Sequence, residues 1–142
     1  MGKNYTYVRR EDAECLKLAK FLQEHHLDYV RIASEIPTKN FGVIKRLQKE
    51  GWRSGEPDFF LAMPVKNWAG LWLEMKSDHN HFPTTKSDQH KILLMRAKSG
   101  YASFCCRSGE SAIKVVEGYL NNKWELSMMQ GKKELIRCYN KY

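Results

Sequence analysis

The sequence predicts an α/β fold, a mixed β-sheet flanked by helices. Three observations predict it. Segments of helical periodicity alternate with short β-branched and aromatic runs. Two of those runs, 57–63 and 71–76, are close enough to pair as a hairpin. The strand-helix-strand stretch from 71 to 106 is long enough for a parallel crossover.

From Glu11 to about His26 the apolar residues Cys15, Leu18, Ala19 and Leu22 recur at the spacing of one helix face. Asp28 to Ser34 alternates and predicts a strand. A turn at Pro37-Thr38-Lys39 leads into a helix from Asn40 to Glu50, stopped by Gly51. Arg53-Ser54-Gly55-Glu56 reads as a loop. Pro57 opens an apolar run, Asp58 to Met63, of the length of a buried strand, and Pro64 ends it. Leu71 to Lys76 is the next strand. Its alternation puts Leu71, Leu73 and Met75 on one face and Trp72, Glu74 and Lys76 on the other. After a polar segment, His79 to Thr85, Ser87 and Asp88 begin a helix that runs to about Lys98 and closes at Gly100. Tyr101 to Cys106 is a strand, and Ser108 is the N-cap of a helix whose Ala112, Val115, Val116 and Tyr119 share a face. Residues 1–121 are therefore expected to form one domain. Residues 122–142 are expected to be a basic amphipathic extension, packed on that domain or on a dimer partner.

Composition narrows the function. Lys and Arg number 24 against 16 Asp and Glu, a net charge of +8, which suits a polyanionic partner such as nucleic acid. No apolar run approaches the ~18 residues that a membrane span needs, and the polar N-terminus has no secretion signal, so a cytoplasmic location is expected. The four cysteines show no CxxC spacing, and Cys105 and Cys106 point to opposite faces of a strand, so free buried thiols are expected rather than zinc ligands or disulfides.

The chemistry converges on three residues. Asp58 opens one strand, and Glu74 and Lys76 lie on one face of its neighbour. Two adjacent carboxylates repel each other unless a divalent cation lies between them, and that cation can also bind a scissile phosphate. A neighbouring lysine can orient or deprotonate the attacking water. Hard oxygen ligands favour Mg²⁺ or Mn²⁺, and the Met75 backbone carbonyl is a further ligand candidate. A Glu-x-Lys pair on a strand is more often an ordinary solvated face. Here the flanking Phe59, Phe60, Leu61, Leu71, Trp72 and Leu73 make both strands look buried, and buried charges call for partners.

Gly55-Glu56-Pro57-Asp58, Leu73-Glu74-Met75-Lys76, Ser87-Asp88-Gln89 at a helix start, and Gly100-Tyr101 after that helix occur in one order. Together they resemble the VRR-NUC (virus-type replication-repair nuclease) branch of the PD-(D/E)xK superfamily, over residues 11 to 121. The resemblance implies a restriction-endonuclease-like core, with Asp58, Glu74 and the Met75 carbonyl on the metal and Lys76 assisting. It also brings Gln89 into the site and makes Glu35 a further catalytic and metal-binding acid. Ser34 stands where family members more often carry Asn. Glu14 competes with Glu35 for that role, its plainer reading being a solvated helix residue. Lys86, His90, Lys91 and Arg53 are candidates for phosphate contact, and Arg31 for a place near the cleft. Trp52 can stack on a base or pack inside, and His79-x-His81 reads as a substrate-facing loop sooner than a zinc site. The implied activity is a Mg²⁺- or Mn²⁺-dependent DNA endonuclease, selective for branched DNA such as a four-way junction. Paired cuts in a symmetric junction favour a homodimer. The stand-alone size hints at a phage or mobile-element origin. The rival reading is a non-catalytic nucleic-acid-binding module on a degenerate nuclease fold.

Overall fold

A computed structural model describes residues 10–32, 39–77, 82–123 and 135–141. Ten elements follow in order: α1 (Arg10–Glu24), β1 (Tyr29–Arg31), α2 (Phe41–Lys49), β2 (Phe59–Leu61), β3 (Leu71–Met75), α3 (Asp88–Lys98), β4 (Ala102–Cys106), α4 (Gly109–Leu120), β5 (Ile136–Cys138) and a 3-10 turn (Tyr139–Lys141). The five strands form one sheet in sequence order. Only β3 and β4 run parallel, with α3 as the crossover; the other neighbours are antiparallel.

The caps are local. Asn40 Oδ1 accepts from the N–H groups of Gly42 and Val43, 3.0 and 3.3 Å away, and so starts α2. Ser87 Oγ accepts from His90 N at 3.2 Å and Ser108 Oγ from Ser111 N at 3.1 Å, starting α3 and α4 as the sequence predicts. β1 and β2 are shorter than expected, three residues each. The hydrogen bonds Ile32 N–H to Asp58 O (2.8 Å) and Ala62 N–H to Asp28 O (2.9 Å) carry their pairing past both ends, so the difference lies in the termini.

Both faces of the sheet are covered. Leu71, Leu73 and Met75 join Leu18, Leu22, Ala112, Val116 and Tyr119 in the main core beneath α1 and α4. On the opposite face, Cys105 packs with Leu93 of α3, Phe82 and Tyr139. All four cysteines are buried and none is in a disulfide. β5 is the element the sequence reading missed. Ile136 and Cys138 pack in the main core, and Arg137 on the other face donates to Pro83 O at 2.8 Å. Asn140 then closes the end of the sheet, accepting from Ser103 N (2.9 Å) and donating to Tyr101 O (2.7 Å).

Candidate active site

The β2–β3 register pairs Phe59 with Leu73 and Leu61 with Leu71. One residue further along, Asp58 stands opposite Glu74. Directly opposed residues of an antiparallel pair share a face. That face is the one under α3, since Leu73 and Phe59 both enter the core on the other side. Asp58 and Glu74 are 5% and 2% exposed, so two acids meet in a dry place.

Each is held from several directions. Asp58 Oδ2 accepts the Met75 N–H at 2.7 Å, which uses a β3 backbone donor to fix the carboxyl. Asp58 Oδ1 lies 3.2 Å from Arg31 Nη1, and the same guanidinium nitrogen donates to Asp58 O at 3.1 Å. Lys76 Nζ is 3.4 Å from Glu74 Oε1, with the lysine side chain 12% exposed. Gln89 Nε2, on the first turn of α3, donates to the same Oε1 at 3.3 Å. Burial pushes the Asp58 carboxyl above the usual carboxylate range. The Met75 N–H opposes that most, followed by Arg31, Lys76 and a hydrogen bond with the Glu74 side chain.

The loop that carries Asp58 is clamped to α3. Gly55 has φ +87°, and a Cβ there would come within 3.0 Å of Asp88 Cβ and 3.1 Å of Gln89 N. Glu56 receives Arg96 Nη2 on both oxygens (3.0 and 2.8 Å) and Arg53 Nε at 2.8 Å. The Arg96 guanidinium lies over the Trp72 ring at 4.0 Å. Glu56 and Arg96 went unread as site residues. Glu56 stood inside the motif quoted for Asp58, whereas nothing in sequence singles out Arg96 among the basic residues of α3.

Asp58, Glu74, Lys76 and Gln89 are thus brought together, joined by Arg31. Glu35, His79 and His81 lie outside the described residues. Among the described residues no group of three or more His, Cys, Asp or Glu gathers. Glu14 Oε2 accepts from Gly109 N at 2.6 Å, where the acid complements the N-terminus of α4. His90 sets its ring edge-on to Tyr139 with centroids 5.2 Å apart, and burial, then Arg137, lower its pKa. Lys86 and Lys91 are exposed, Arg53 is half-exposed on Glu56, and Trp52 is half-buried.

The described donor set fits a hard divalent cation: two buried carboxylates on neighbouring strands, with Arg31 beside Asp58 and Lys76 and Gln89 beside Glu74.

No protein-family model matches the chain, and no curated protein matches it. A solved structure called "VRR_NUC domain protein" does, with a TM-score of 0.67 and 18% identity over 81% of this chain and 91% of that one. The chain has the fold of that VRR_NUC domain. It is an α/β, restriction-endonuclease-like fold. At 18% identity the VRR_NUC likeness is one of backbone, and the charges that fill the site are described by this chain's own residues. Among the described residues no helix is long and apolar enough to cross a membrane.

Proposed function

We propose that this chain is a divalent-metal-dependent endonuclease that hydrolyses phosphodiester bonds in DNA, branched DNA in particular, and acts as a homodimer. The observation that carries the reading is the pair of buried carboxylates, Asp58 and Glu74, opposed across β2 and β3 with Lys76 Nζ 3.4 Å from Glu74. Buried acids so arranged are unfavourable for folding alone, which supports a role in chemistry.

Asp58, Glu74 and the Met75 carbonyl would hold Mg²⁺ or Mn²⁺, with Glu35 as the further acid. When bound, the ion supplies positive charge to the two carboxylates and to the scissile phosphate. Arg31 fixes the Asp58 carboxyl, and Gln89 fixes that of Glu74. Lys76 orients the attacking water and opposes the negative charge that develops on phosphate. Lys86, Lys91, Arg53 and His90 would lie along the path of the strand.

The test is metal-dependent nicking of labelled junction, flap, gapped and duplex DNA by the full chain. Wild type should cut with Mn²⁺ or Mg²⁺, and Asp58→Ala and Lys76→Ala should lose at least ~100-fold. If wild type binds these DNAs and cuts none of them, the protein is a binding module on a nuclease fold.

A further inference from the structure

We infer that α2 is a nucleic-acid-gripping helix, with Lys45, Arg46 and Lys49 on backbone phosphates and Phe41 stacking on an unpaired base. The inference rests on the nucleic-acid reading above and names a surface for it outside the catalytic cluster.

Among the described residues, α2 alone of the four helices covers no core: it has no buried residue. A helix of nine residues has little stability in isolation, and α2 only half-buries its apolar residues Val43, Ile44 and Leu47, so its other face is free to present side chains to a partner. What it presents is charge. Residues 39–53 contain Lys39, Lys45, Arg46, Lys49 and Arg53 against a single acid, Glu50. Arg53 is engaged by Glu56, and the exposed Arg46–Glu50 approach, at 3.9 Å, is too loose and solvated to neutralise the arginine. The remaining cations face water.

At the N-terminal end stands Phe41, 68% exposed, with Lys45 Nζ 4.7 Å from its ring centroid. An exposed aromatic face beside an ammonium is the combination that takes a base on the ring and its phosphate on the cation. Charge complementarity selects the occupant. A second copy docked α2 to α2 would bring these cations against their own images, whereas a phosphate backbone offers one negative charge per ~1.7 Å of duplex. From Lys49, the last residue of α2, to Asp58 the chain spans nine residues, ~32 Å at full stretch, and the Arg53–Glu56 contact shortens that path.

The test is binding, read apart from cleavage. Fluorescence anisotropy in EDTA compares the full-length wild type, a Lys45→Ala/Arg46→Ala/Lys49→Ala variant and Phe41→Ala. The probes are a labelled duplex and a labelled junction carrying unpaired bases, across a salt series. The triple variant is expected to weaken both probes at least tenfold at ~0.1 M salt, and to reduce the slope of log K against log salt by about two to three. Phe41→Ala is expected to weaken the unpaired-base probe about fivefold or more and the plain duplex little. Melting temperatures should stay within about 2 °C of wild type, since the substituted side chains are exposed. Unchanged affinity and slope would overturn the inference even if the protein cuts DNA. So would a dimer that dissociates in the variants at an unchanged slope, which would assign the helix to a second copy. If wild type cuts nothing but the slope falls as stated, the inference stands and the nuclease reading fails.

Discussion

At the scale of single residues, the buried acids work against the stability of the fold. Asp58 is nearly dry, and its charge is opposed by burial more than it is helped by any one partner. Asp58→Asn keeps an oxygen to accept the Met75 N–H and removes the buried charge, while Arg31, with 43% of its side chain exposed, can turn to water. The variant should be inactive and, without metal, as stable as wild type or more so by about 1 kcal/mol. A thermal melt in EDTA checks this; a fall of several degrees would mean that the carboxylate is structural. Glu56 behaves oppositely. Its carboxylate joins two arginines and ties the Asp58 loop to α3, so Glu56→Gln should lower stability by about 1–2 kcal/mol and depress turnover with little change in KM. Equal effects on DNA affinity and turnover would contradict a positioning role.

At the scale of elements, most of the frame was legible and the reasons differ from piece to piece. α1 and α4 carry clean apolar stripes because each buries one face. β3 was legible as alternation even though every position on it is buried, because Glu74 on its polar-bearing face is partnered by Lys76 and by Gln89 of α3. Asp58, Glu74 and Lys76 were readable since acids in an apolar strand stand out. Arg31 was left open because a three-residue edge strand does not reveal which side faces a neighbour. β5 was not legible at all: Ile-Arg-Cys is too short for any periodicity, and its pairing with β4 comes from contacts thirty or more residues distant. That element gives a prediction. Asn140 replaces two missing ladder partners at Tyr101 and Ser103, so Asn140→Ala should destabilise the fold by about 1–3 kcal/mol in urea denaturation. Amide exchange should rise first in β4 and β5. Rapid exchange confined to α3 would place the loss elsewhere.

At the scale of the whole molecule, the question is whether the acidic pair and the core form one cooperative unit. The carboxylates lie on the two strands whose other residues, Phe59 and Leu73, fill the core under α1 and α4, so a ligand on the acids stabilises the strands that organise everything else. A divalent ion that binds the folded chain alone adds RT ln(1 + [L]/Kd), ~2.7 kcal/mol at a hundredfold excess over Kd. The buried cysteines offer a readout that involves no DNA. Burial pushes the Cys105 and Cys106 thiols up, and all four cysteines should resist a thiol reagent until the chain opens globally. Mn²⁺ or Mg²⁺ should therefore slow cysteine labelling of the wild type by about 100-fold at that excess and raise its melting temperature. Neither ion should protect an Asp58→Asn/Glu74→Gln double variant. Equal protection of that variant would locate the metal away from the β2–β3 pair, and protection of neither would leave the two acids without the cation that their burial calls for.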